Sequence, residues 1–137
     1  MYLYHGSPYL FDTLKPQKAN DNTDAGSQYA IYACARFDDA IPFALPIRWY
    51  PDDPSGKRAF TCDNGLTVIE YGSLDPNGFG YVYKLNIDGF VQVDDWQWVS
   101  PVAATPIEVT KIAVRDYWHT ITFSNTALRI NDWLYPM

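Results

Sequence analysis

Residues 29–45 read YAIYACARFDDAIPFAL, and a change of period within them decides the fold class. The first six, YAIYAC, read as a strand. After Arg36 the apolar residues Phe37, Ile41 and Leu45 recur at spacing four, the mark of one helical face. Asp38 and Asp39 fall in the first turn of that helix, where its dipole favours carboxylates. Pro42 keeps the helix short.

Outward from this stretch the signals are mostly those of strands. Tyr2-Leu3-Tyr4 alternates as a short strand that Gly6-Ser7-Pro8 breaks. Residues 8–28 are polar and turn-rich, and the 18–28 portion, nearly without apolar content, predicts a mobile loop. Residues 46–57, PIRWYPDDPSGK, predict a Pro-rich loop. Strands at 58–62 and 66–71 flank Asp63-Asn64-Gly65, a hairpin signal because Asn-Gly accepts positive φ. GYVYKLNI at 80–87 alternates as a strand should, and 89–93 continues in that style. Further strands are expected at 97–100, 107–114 and 119–123, and Ser124-Asn125-Thr126 is placed to cap a short helix through Leu134. The expectation is an α+β domain, mainly β, with seven or eight strands and few helices. No βαβ alternation and no glycine-rich phosphate loop occur, which argues against a Rossmann or P-loop nucleotide site.

The chain has 137 residues, the size of one domain spanning 1–137, able to bury about two thirds of its unfolded surface. Its 47% apolar and 17% aromatic content excludes disorder and predicts a substantial core. Five Trp and eleven Tyr suit either an aromatic core or a lined pocket. A net charge of -6 argues against nonspecific nucleic-acid binding, which needs a stripe of Lys and Arg. The ten scattered basic residues still suffice for one small anionic ligand. Cys34 and Cys62 are too few and too distant for a CxxC metal site or a disulfide framework. They suit a reducing compartment, with a single bridge left open. The N-terminal MYLYHGSPYLF lacks a basic segment followed by an apolar run, and no stretch approaches twenty apolar residues. The expectation is therefore a soluble, cytoplasmic protein without a membrane partner. Its oligomeric state has no signature in the sequence.

Of the two histidines, His5 and His119, the first stands at a strand end where the backbone turns, a frequent position for binding groups. Taken alone it reads as readily as a half-buried ring donating to a carbonyl. His119 reads mainly as a strand-end residue with a backbone partner. Ser7 and Ser100 lack a G-x-S-x-G setting, which argues against serine hydrolysis.

His5-Gly6-Ser7, then Ile31-Tyr32-Ala33 before a helix bearing Ala40 and Phe43, then Trp96-Gln97-Trp98-Val99-Ser100 occur in that order. Together they resemble the ADP-ribosyltransferases of the diphtheria-toxin and poly(ADP-ribose) polymerase type. In that family His, Tyr and Glu on three strands of a split β-sandwich clasp NAD. The resemblance covers residues 2 to about 114. It implies the split β-sandwich fold, NAD as co-substrate, and a protein target. It further implies that His5 hydrogen-bonds a ribose hydroxyl of the adenosine side as a donor, and that Gly6, lacking Cβ, lets its backbone reach the carboxamide. Ser7 and Ala40 join the NAD-binding set. Tyr32 and Phe43, eleven residues apart, would sandwich the nicotinamide, although without the resemblance both read as core residues.

The third motif departs from the family, because Gln97 stands where the glutamate belongs. An amide can orient a hydroxyl but carries no charge. Asp94, Asp95, Glu70 and Glu108 are the candidate replacements, each also readable as a solvated strand-edge charge. The resemblance thus implies a small NAD-dependent mono-ADP-ribosyltransferase of toxin or phage-effector type, with Gln97, Tyr32 and His5 as the catalytic set. Its counterpart is a catalytically inactive domain of the same fold that binds an NAD-like ligand or a protein.

Overall fold

The computed structural model describes residues 1–18, 29–49, 60–63, 66–70 and 72–124. In chain order the strands are β1 Tyr2–Ser7, β2 Gln17–Lys18, β3 Tyr29–Ala33, β4 Arg48–Trp49, β5 Phe60–Asp63 and β6 Leu66–Ile69. Then follow β7 Gly72–Ser73, β8 Phe79–Asn86, β9 Val91–Gln92, β10 Trp98–Ser100, β11 Glu108–Ala113 and β12 Ile121–Phe123. Helix α1, Phe37–Ala44, comes directly after β3, and a 3₁₀ helix spans Val114–Thr120. The architecture is α+β and mainly β.

Two antiparallel sheets organise the site. The first has the order β1-β8-β11 and the second β2-β3-β10-β9. One isolated pair joins them: Tyr4 and Cys34 exchange backbone hydrogen bonds of 2.8 Å each. Elsewhere β5 and β6 form the expected antiparallel hairpin, β12 adds to β6 in parallel, and β4 pairs with β7.

Alternation along β8 feeds two cores, because successive side chains leave opposite faces of a strand. Val82 joins Ala40, Ile41, Ala44 and Leu45 of the α1 region with Ile69, Leu74, Ile112, Val114 and Ile121. Tyr83 and Leu85 join Leu3, Leu14, Ile31, Ala33 and Phe90 on the other side. Helix α1 keeps Asp38 and Asp39 in its first turn and tolerates the buried Pro42 within its eight residues. It ends at Leu45, which the following Pro46 holds extended (φ -68°, ψ 132°).

The helix lies directly on two glycines. A Cβ on Gly6 would collide with the Ala40 carbonyl oxygen and stand 2.8 Å from the Ala44 nitrogen. A Cβ on Gly80 would fall on the Ala44 carbonyl oxygen, 2.7 Å from its carbon. Only glycine lets the helix backbone approach the sheet this closely.

Several expectations change. Twelve strands, some of only two residues, form among the described residues where seven or eight were expected, and β1 runs on through Gly6 and Ser7, where the sequence reads as a break. The strand predicted over 119–123 begins only at Ile121, because residues 114–120 coil into the 3₁₀ helix. That coil buries Val114, brings Tyr117 against the core, and lets the Thr120 hydroxyl donate to the Tyr117 carbonyl at 2.7 Å. Residues 89–93 supply just the short β9, since Gly89 sits at φ +86° in a turn closed by Phe90 N–H to Ile87 C=O. The loop predicted over 46–57 includes β4. Of the loop read over 18–28, Lys18 belongs to β2 and residues 19–28 lie outside the described residues, as do the Asn64-Gly65 turn and the C-terminal helix read to Leu134. No helix among the described residues is long and apolar enough to cross a membrane.

Candidate functional site

The ladder between β1 and β3 opens immediately beyond the Tyr4–Cys34 pair. Two residues before Cys34, the Tyr32 carbonyl oxygen accepts a hydrogen bond from His5 Nδ1 at 2.6 Å. Tyr4 uses both its N–H and C=O on Cys34, so alternation turns those of Gly6 toward the same edge, into the gap.

Donation from Nδ1 fixes the tautomer of the neutral ring and leaves Nε2 as an acceptor. The neutral state is favoured: burial lowers the His5 pKa below its ordinary 6.5, outweighing the opposing hydrogen bond to Tyr32. The expected donor role is therefore not open to the remaining ring nitrogen: it is an acceptor, and any group that bonds to it must donate.

This has a measurable consequence for stability. The unfolded chain binds the His5 proton near pH 6.5 and the folded chain only at lower pH. Stability from the neutral ring is complete above that value and declines as pH falls from it toward the folded pKa. For one proton the slope is at most about 1.4 kcal/mol per pH unit. Urea melts between pH 7.5 and 5 should show a decline in wild type that is shallower in His5→Gln. Equal slopes in the two proteins would reject the assignment.

The other site residues are distributed on both sides of the joined sheets. Ser7 is buried, and its Oγ accepts the Tyr9 N–H at 3.2 Å. Tyr4 packs edge-on against Phe37 of α1 at 5.9 Å, so its partner Cys34 and, two residues away, Tyr32 share the α1 side. His5 leaves β1 on the opposite side, beside Tyr83, with ring centroids 6.0 Å apart. His5 and Tyr32 thus meet through a ring nitrogen and a backbone oxygen, not through their two side chains. Phe43 is half exposed on α1, its ring against Phe60 at 5.4 Å and its backbone over Gly6. The space that a Gly6 Cβ would need is filled by this helix, which corrects the reason for the glycine. Ala40 is fully buried in the core and lines no open surface.

Gln97 precedes β10, whose Trp98 lies opposite Ala33, so Gln97 stands level with Cys34 on the far edge of β3. That is about two strand spacings, roughly 10 Å, from β1. Its N–H donates to Asp94 Oδ1 at 2.7 Å and its C=O accepts from the Val93 N–H at 3.0 Å. Val99 pairs with Tyr32, so alternation sets Gln97 on the side of Tyr32 and away from His5.

The carboxylates considered as replacements have other partners or places. Asp94 Oδ1 accepts both the Trp96 and Gln97 N–H groups, closing a turn. Asp95 is exposed. Glu70 accepts from the Thr61 hydroxyl at 3.4 Å, and Glu108 begins β11 opposite Lys84 in the other sheet. Sequence reasoning passed over Asp39, whose charge acts on the Cys34 thiol. Burial first, then Asp39, Cys62 and Asp94, push that thiol up to about 12. It also passed over Tyr83, which the alternation of 80–87 placed in a strand without hinting at its partners. No cluster of His, Cys, Asp and Glu among the described residues is arranged to hold a metal ion. His119 is exposed on the 3₁₀ helix. No protein-family model, curated protein or solved structure matches the chain.

Proposed function

We propose that the chain is a small NAD-dependent mono-ADP-ribosyltransferase of toxin or phage-effector type, folded as a split β-sandwich and modifying a macromolecular target. The observation that carries this reading is the opening between β1 and β3 at His5 and Tyr32, with a neutral imidazole and the Gly6 backbone on the β1 lip and the Tyr32 carbonyl on the other. His5 Nε2 suits a ribose hydroxyl, the Gly6 N–H and C=O suit a carboxamide, and α1, whose backbone lies over Gly6, carries the half-exposed Phe43 ring against Phe60. NAD supplies an ADP-ribose unit already joined to a cationic leaving group. The chain's own part is to bind and orient it.

A second reading is favoured by Gln97: a domain of the same fold that binds an NAD-like ligand or a protein without turning it over. A unit charge about 4 Å from another is worth ~4 kcal/mol near a surface. Losing it slows a step by roughly a thousandfold. Calorimetry with NAD, and labelled NAD mixed with lysate, separate these readings. The enzyme reading expects binding plus a labelled acceptor or released nicotinamide, abolished in Gln97→Ala. Binding without turnover, with strong NAD cleavage appearing in Gln97→Glu, favours the silent domain. Absence of NAD binding removes the enzyme reading and leaves the silent domain only as a protein-binding one.

A further inference from the structure

We infer that Tyr83 is a positioning residue that holds an aromatic wall beside the ligand at His5; this rests on the reading of His5 as a ribose-binding group. Tyr83 is fully buried on β8, directly opposite His5 in register, with its ring against the imidazole. Its hydroxyl donates to the Tyr9 carbonyl at 2.6 Å and accepts the Phe11 N–H at 2.7 Å. One phenol therefore fixes residues 9–11 at two points, and the Ser7 hydroxyl fixes their start.

The segment so fixed is unusual in what it shows to solvent. Tyr9 is 68%, Leu10 64% and Phe11 37% exposed, with the two rings edge-on at 6.3 Å. Surface loops are ordinarily mobile and polar. Here an apolar strap starts two residues past Ser7 and is tied down by a buried hydroxyl. Holding rings in place before binding removes the ordering penalty for a flat apolar ligand surface. The strap leaves the sheet on the His5 side, so the part of NAD it flanks is the adenosine half. Because the same phenol touches the imidazole, Tyr83 sets the strap and the ribose contact together.

Tyr83→Phe keeps the ring beside His5 and removes both strap hydrogen bonds. The full chain carrying it is expected to bind NAD and ADP-ribose about tenfold more weakly, equivalent to 1.4 kcal/mol. Exchange of the Phe11 amide should accelerate in parallel. Ile112→Val, in the other core, serves as a control for loss of stability alone and should leave the Kd unchanged. Wild-type affinity in Tyr83→Phe, or an equal loss in the control, overturns the inference while leaving the functional reading in place. A wild-type protein that binds no NAD removes that reading and takes the inference with it.

Discussion

Gly80→Ala is expected to destabilise the protein by at least about 3 kcal/mol, the upper end of overpacking effects. The added Cβ would land on the backbone carbonyl of Ala44, an atom that no rotamer change can move. Relief requires α1 to lift from β8, which uncovers Ala40, Ile41 and Ala44, all core residues. A domain of ordinary stability has about 5–15 kcal/mol in total, so a large fraction is at stake. Gly6→Ala meets the Ala40 carbonyl oxygen under the same helix and should act in the same direction. Urea melts of both variants measure the effect; a Gly80→Ala midpoint indistinguishable from wild type would show that α1 is not seated there.

Alkylation of Cys34 should be about three orders of magnitude slower than that of an ordinary exposed thiol. Cys34 is half-buried and its thiol is pushed from 9.0 up to about 12, by burial first and then by the nearby Asp39, Cys62 and Asp94. Only thiolate reacts, so three pKa units reduce the reactive fraction near neutral pH roughly a thousandfold. Cys62 is exposed on β5. Iodoacetamide on the native protein should therefore give a single adduct, mapped by mass spectrometry to Cys62, and two adducts in urea. Comparable labelling of Cys34 in the native state would contradict its placement.

The sequence revealed elements better than encounters between them. The strand and short helix of residues 29–45 were legible because their periods differ, and β8 because it alternates. The 3₁₀ helix at 114–120 was not, since Val114 and Tyr117 at spacing three lie in a stretch too short to display a period. At the site, His5 was legible as a strand residue, but not as an interior one, because Gly6 and Ser7 read as a break and yet pair with β8. Its bond to the Tyr32 carbonyl was not, because a backbone acceptor leaves no trace in residue identity. Gly6 was noticed for the wrong neighbour: one missing Cβ looks the same whether a ligand or a helix fills the space. Tyr83 was hidden among eleven tyrosines, and only the fold shows which phenol is tied to residues 9 and 11.

The middle strand of the first sheet lies between one strand from the start of the chain and one from well past its middle. During synthesis the opening residues must wait until Phe79–Asn86 has left the ribosome before they find their neighbour, and the hairpin at 60–69 waits in its turn for Ile121–Phe123. Such distant closures slow a chain in proportion to the separation they span. Newly made protein should therefore spend its early life with apolar strand edges uncovered until Ile121–Phe123 arrives.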